Sequence, residues 1–400
     1  MKKVWDKWTR IALVKRILVG LILGAILGIA VPQATGIAIL GDVFVSALKA
    51  IAPLLVFFLV ISSLCNAGKS HGGVIKTVII LYMFSTVLAA VIAVFASMAF
   101  PVKMTLANAA TDTSAPQGIV EVLNNLLLNV VANPVSSLVN ANYVGILMWA
   151  VLLGLAFRAA DKMTKKVLAD VADGISMVVT WIINLAPFGI FGLVFNTVST
   201  NGLDIFTTYG KLLLLLVGCM LFIYFVTNPL LVYWCIRQNP YPLIFHCLKR
   251  SALTAFFTRS SAANIPVNMK VCEEMGLDRD TYSVTIPLGA TINMDGAAIT
   301  ITVMTMATAF TLGIHVDIPT AIILSLLAAL SACGASGVAG GSLLLIPMAC
   351  SLFGISDDIS MQVVAVGFII GVVQDSVETA LNSSSDLLLS ASAEFRQWRL

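Results

Sequence analysis

Charge is scarce in this chain. Of 400 residues only 11% are Asp, Glu, Lys or Arg, against 59% hydrophobic, and the mean hydropathy is +0.99. That balance excludes a soluble domain, and the length excludes a single membrane span. Histidine is nearly missing. His71, His246 and His315 each lie near the end of an apolar segment, so neither a zinc centre nor a Ser–His–Asp triad can be assembled from them. The seven cysteines are scattered and never spaced CxxC, which favours packing or reduced bystander thiols over a metal centre or disulfide framework. No basic run carries interleaved aromatics, so no nucleic-acid partner is expected. The small excess of 23 Lys and Arg over 20 Asp and Glu instead reads as topology.

What remains is a polytopic α-helical membrane protein. Apolar windows fall at 12–31, 42–64, 74–100, 143–158 with an apolar approach from 119, 171–199, 211–236, 282–313 and 360–390. A signal peptide is the alternative for the first window, but no small-residue cleavage site follows Val31, so it is expected to stay as a membrane helix. Most basic residues cluster at Met1–Arg16, Lys69–Lys76, Arg158–Lys166, Arg237–Arg250, Lys270–Arg279 and Arg396–Arg399, whereas Pro101–Ala141 holds only Lys103. The positive-inside rule makes those clusters, and both termini, cytoplasmic. Two regions, 248–274 and 318–354, are apolar but broken by Ser, Gly and Pro. Alternating spans agree with the charge bias only if each of these regions enters and leaves on one side. They are therefore expected to be re-entrant hairpins, the first opening to the cytoplasm and the second outward. Non-helical backbone at membrane depth needs protein or water around it, so opposed tips imply a central polar cavity.

Four polar constellations are expected to face that cavity. Asp375, Glu378, Asn382 and Asp386, spaced three, four and four, fall within roughly 80° of arc on one helix. A centrally placed carboxylate costs about 2.5–3.5 kcal/mol on insertion scales, tolerable where it meets a cation or substrate. The first tip, Thr258 to Pro266, offers hydroxyls, exposed amides and Arg259; its bland alternative is a Ser-rich bend with a snorkelling arginine. The second tip, Gly334 to Ser342, is flexible enough to act as a lid or to offer carbonyls, or is simply a packing stretch; it lacks the Gly-Lys-Ser/Thr ending of a phosphate loop. Between the tips, Asn293 and Asp295 lie in a span weakened by Pro287, Gly289 and Gly296, an all-oxygen setting that suits sodium.

The strings Thr258-Arg259-Ser260-Ser261 and Pro287 to Gly296, with the spacing Asp375…Asn382…Asp386, resemble the dicarboxylate/amino acid:cation symporter family, the glutamate-transporter homologues, in the same order over nearly the whole chain. The resemblance implies eight transmembrane helices plus two opposed re-entrant hairpins, a homotrimer, and an elevator in which a transport domain moves past a scaffold. Residues 1–70 and 106–205 would be scaffold; 71–105 and 206–400 would be transport domain. It also implies that Asp375 takes the substrate amino group, that Asn382 and the backbone around Ser261 hold its carboxylate, and that Ser260, Val338, Glu378 and Thr379 line the pocket. Na+ is the implied coupling ion. Gly289, Asn293, Asn382 and Asp386 would form one sodium site, Tyr82, Ser85 and Thr86 with Asn293 and Asp295 a second, and backbone at Thr291 with the second hairpin a third.

The departures narrow the substrate. Acidic-substrate members carry an arginine three residues after the amino-binding aspartate and a threonine after Asn-Met-Asp-Gly; here those positions are Glu378 and Ala297. A carboxylate facing a carboxylate in a buried pocket is repulsive, so glutamate and aspartate should be rejected. What remains is a small, net-neutral amino acid, and the resemblance implies sodium-coupled uptake of L-serine and L-threonine across a bacterial inner membrane. Glu378 either accepts a hydrogen bond from the substrate hydroxyl or pairs with Arg259. Two alternatives stand beside this: a proton- or sodium-coupled dicarboxylate or acidic amino acid symporter of the same family, and a membrane hydrolase using Ser260 or Ser261. The hydrolase lacks a histidine or lysine base on a nearby apolar segment.

Overall fold

The computed structural model describes residues 11, 13–66, 73–106, 128, 131–203, 205–333, 335 and 340–397, and those residues are helical or irregular, with no strand among them. Leu13–Ala30 (α1), Ala38–Asn66 (α2) and Gly73–Ala99 (α3) reproduce the first three apolar windows. The apolar approach from 119 lies mostly outside the described residues; the chain continues with Pro134–Val139 (α4) and Tyr143–Ala156 (α5). The window at 171–199 is two helices rather than one, Lys162–Asn184 (α6) and Ala186–Asn201 (α7). Pro187 in the first turn of α7 has no N–H to extend the α6 ladder.

Ile205–Phe222 (α8) passes through a π-turn at Ile223–Thr227 into Asn228–Ile236 (α9). Pro229 cannot donate to the carbonyl of Phe225, and the Tyr241 hydroxyl fills that acceptor at 3.2 Å. Tyr241–Cys247 (α10) runs through a second π-turn, Leu248–Ala252, into Leu253–Thr258 (α11), which stops at Arg259 in the left-handed region, φ +53°. Ser261–Glu274 (α12) packs back on this limb, with Asn264 Nδ2 donating to Ser251 Oγ at 3.0 Å. Arg279–Ile292 (α13) and Asp295–Thr311 (α14) are separated by a two-residue break. Ile318–Ala332 (α15) meets Ile346–Ser351 (α16) through a contact of Ser331 Oγ with Met348 Sδ at 3.5 Å, and Asp357–Gln397 (α17) closes the chain. At about 1.5 Å per residue α17 is roughly 60 Å long, twice the hydrocarbon thickness.

Packing separates these helices into two groups. α1, α2, α5, α6 and α7 pack on one another; α3, α8 to α14 and α16 gather on α17, and α15 packs on α3 and α14. Small residues let the first group close: a Cβ on Gly20 of α1 would stand 2.2 Å from the carbonyl oxygen of Pro187 in α7. The membrane-length stretch of α17 is 83% buried and that of α13–α14 72%, against 17% for α6, so the polar stripe of α17 lies at the centre of the molecule. The groups meet at few places. Phe44 and Phe368 pack edge to face at 5.3 Å, and Lys49 Nζ reaches Asp358 at 2.7 Å and Asp357 at 3.2 Å. Six helices among the described residues are long and apolar enough to cross a membrane, which makes this a multi-pass membrane protein.

Candidate functional site

The break between α13 and α14 organises the site. Asn293 and Met294 leave helical geometry at φ −98°, ψ 79° and φ −117°, ψ 53°. The amides at the start of α14 then need partners, since no side chain of their own segment caps them. Met294 N–H donates to Thr86 Oγ1 of α3 at 3.2 Å, and Gly296 N–H to Asn382 Oδ1 of α17 at 2.7 Å. One gap in one helix thus pins three elements to a common point.

Two oxygen clusters flank the gap. Asp295, in the first turn of α14 where the helix dipole favours an anion, accepts from Ser85 Oγ at 2.8 Å and from Thr86 Oγ1 at 3.2 Å. Across the gap, Asp386 Oδ1 accepts from Asn293 Nδ2 at 2.9 Å. The remaining oxygens of that pair, Asp386 Oδ2 and Asn293 Oδ1, are buried with no hydrogen-bond partner among the described residues. Orphaned oxygens in a buried site are what a hard, oxygen-seeking cation completes. Gly289 sits against this pair: a Cβ there would lie 2.7 Å from Asp386 Oδ1 and 2.9 Å from the Tyr82 hydroxyl.

Tyr82 lies with this second cluster. Its hydroxyl donates to the Asp386 carbonyl at 2.9 Å and lies 2.7 Å from Ser390 Oγ, while the Tyr82 carbonyl accepts from Thr86 Oγ1 at 3.0 Å. Its ring therefore stands on the Asp386 side, and only its backbone reaches toward the Asp295 cluster. Thr291, half-buried, spends its hydroxyl on the Leu288 carbonyl at 2.7 Å.

The upper end of the α17 stripe meets the joint between α11 and α12. Arg259 directs Nε and Nη2 onto Asp375 Oδ2, each at 2.6 Å, and the Gly340 amide donates to Oδ1 at 3.2 Å. Ser260 caps α12 by accepting from Ala263 N–H at 3.2 Å, and Ser261 is buried beside it. Thr379 is also buried, its hydroxyl returned to the Asp375 carbonyl at 2.8 Å. Val338 and most of the Gly334–Ser342 tip lie outside the described residues.

Glu378 does not pair with Arg259. Its Oε2 accepts from Thr300 Oγ1 at 2.7 Å, from Ser342 Oγ at 2.9 Å and from the Gln374 amide. All three donors land on one oxygen, which fixes the orientation of the carboxylate. No set of three His, Cys, Asp or Glu side chains suited to a transition metal occurs among the described residues.

Further buried polar groups, two of them within the tips, complete the network. Asn228 is fully buried beneath the π-turn, accepting from Ser85 Oγ at 3.4 Å and donating to Ser385 Oγ at 3.1 Å. An Asn-Pro pair in an apolar window was its only signal. Asn264 and Asn268 both donate to Ser383, at 2.8 and 3.2 Å to its Oγ, and tie α12 to α17; their i, i+4 spacing marked a face. Gln374 and Thr300 carried no individual signal, because one hydroxyl or amide per apolar turn is ordinary, whereas Ser342 ends the second tip.

The family model described as the sodium:dicarboxylate symporter family matches residues 13–394. A serine/threonine transporter SstT of Bifidobacterium adolescentis is 58% identical over 399 residues, covering 100% of this chain and 93% of that protein. A serine/threonine transporter SstT of Streptococcus thermophilus is 56% identical over 400 residues, the full length of both. With its helix break, its α17 stripe and a match from end to end, this chain belongs to the sodium:dicarboxylate symporter family.

Proposed function

We propose that the protein is a sodium-coupled symporter that takes up L-serine and L-threonine across the bacterial inner membrane, and that it is not an enzyme. The observation that carries the substrate class is Glu378. A carboxylate held by Thr300, Ser342 and Gln374 stands one turn along α17 from Asp375, where a carrier of acidic substrates needs a cation. The relatives named serine/threonine transporters, matched over 93% and 100% of their length, support the same substrates.

In this reading Asp375 receives the substrate ammonium, and the Asn382 amide with the α12 amides beside Ser261 receives its carboxylate. Ser260, Thr379 and Val338 line the same pocket. The free oxygen of Glu378 accepts the substrate hydroxyl. Sodium ions complete the Asp386–Asn293 cluster with Gly289 and Asn382, the Asp295 cluster with Ser85, Thr86 and Tyr82, and a third position at the Thr291 backbone. Asp295, Asp375 and Asp386 without cations oppose closure of the 318–354 segment, so the loaded domain crosses while the sodium-only state is held open.

The α17 group is the moving transport domain and the α1–α2–α5–α6–α7 group the scaffold. The segments 248–274 and 318–354 are the two re-entrant hairpins beside eight transmembrane helices. Both termini face the cytoplasm, and the assembly is a homotrimer. The weak seam between the helix groups supports relative motion, and the sparsely buried α6 supplies apolar surface for a partner copy.

Proteoliposomes carrying the purified chain test the coupling. Labelled L-serine should accumulate under an inward sodium gradient and fail to accumulate under a pH gradient with choline in place of sodium. Accumulation driven by the pH gradient alone would favour the proton-coupled dicarboxylate alternative.

A further inference from the structure

We infer that Arg259 is a built-in counter-ion for the ammonium subsite: it occupies Asp375 while no substrate is bound, yields that carboxylate to an arriving ammonium, and so allows the unloaded carrier to cross back. The inference rests on the reading of Asp375 as the acceptor of the substrate ammonium.

Both oxygens of Asp375 are engaged. Oδ2 takes two guanidinium nitrogens of Arg259 at 2.6 Å, and Oδ1 takes the Gly340 amide at 3.2 Å. An ammonium that approaches Oδ2 meets the guanidinium, a partner of like charge, on the same oxygen. The pair is secluded, with side-chain exposures of 11% for Arg259 and 5% for Asp375. A lone carboxylate at that depth opposes movement through the membrane, whereas a paired one does not. Arg259 is the one cation in an ion pair with the α17 stripe among the described residues, since Glu378, Asn382 and Asp386 meet only hydroxyl and amide groups.

The backbone is arranged for release. Helix α11 finishes on the Arg259 N–H, which donates to Ala255 at 2.8 Å, and Ser260 beyond it is extended at φ −147° while starting a new helix. Arg259, at φ +53°, is thus a joint between two capped helices, and its side chain can swing away without breaking a helical hydrogen bond.

Two transport modes separate this role from simple scaffolding. Net uptake into serine-free vesicles requires the unloaded carrier to return; exchange with saturating L-serine on both sides does not. Arg259→Gln should lower net uptake on the order of tenfold or more, leave exchange within about threefold, and lower the half-saturating L-serine concentration because its competitor is gone. Arg259→Lys should restore net uptake to within about threefold of the native chain. Equal loss of uptake and exchange in Arg259→Gln, or a lysine variant that behaves like the glutamine one, would overturn the inference. Asp375→Asn, run alongside, should abolish both modes; native half-saturation in that variant would refute the ammonium reading itself rather than the part played by Arg259.

Discussion

Asn293 and Asp386 meet across the α13–α14 break with half of their polar atoms satisfied and half left over. Asn293 Nδ2 donates to Asp386 Oδ1 at 2.9 Å, while Asn293 Oδ1 and Asp386 Oδ2 are buried without a hydrogen-bond partner among the described residues. A buried carboxylate with one oxygen unspent is costly in a structural role and useful in a cation site. The same break exposes amides that Thr86 and Asn382 capture, so whatever fills the oxygen cluster also acts on α3 and α17.

Asp386→Asn removes the charge while keeping the shape. The sodium concentration for half-maximal L-serine uptake should rise by about tenfold or more, a change of about 1.4 kcal/mol in the ion's binding free energy. Maximal uptake at saturating sodium should suffer less. A sodium titration unchanged from the native chain would remove Asp386 from the ion site.

Gly289→Ala tests the closeness of the same cluster. The new methyl would stand 2.7 Å from Asp386 Oδ1, and two of its three neighbours are held by buried hydrogen bonds, so sodium-driven uptake should fall at least about tenfold. Gly174→Ala, on α6 with nothing within 4 Å of the added Cβ, should transport normally at equal expression. Native transport by Gly289→Ala would show that the cluster has room to spare.

Glu378→Gln addresses selectivity. The three donors that converge on Oε2 need an acceptor, so they should capture the glutamine oxygen and turn its NH2 toward the substrate. The preference for L-serine over L-alanine should shrink by about threefold to tenfold. An unaltered preference would mean that the substrate hydroxyl is read elsewhere.

Much of this was legible in the sequence because membrane burial makes polar residues conspicuous. In a span that is otherwise apolar, Asn293, Asp295 and the 375–386 stripe stand out, and Asp375, Glu378, Asn382 and Asp386 do share one buried face. Hydropathy also placed the ends of α1, α2 and α3 to within four residues and those of α17 to within seven. What was illegible depends on pairing across elements. Whether Arg259 would meet Glu378 or Asp375 is decided by the approach of the α11–α12 joint to α17, and no spacing within either segment encodes it. The resemblance groups Tyr82 with Ser85, Thr86, Asn293 and Asp295, and the Tyr82 carbonyl does accept from Thr86 Oγ1. The long side chain of Tyr82 instead carries the hydroxyl to Asp386 and Ser390, where shorter side chains do not reach. The split at Leu185 was hidden inside a continuous apolar window that Pro187 interrupts without changing its hydropathy.

The most direct test is uptake of labelled L-serine into proteoliposomes under an inward sodium gradient, with excess L-threonine or L-aspartate outside. Block by threonine and indifference to aspartate is the result expected of a pocket that sets Glu378 beside Asp375. Block by aspartate would contradict it, leaving the fold and the family intact while overturning the substrate class.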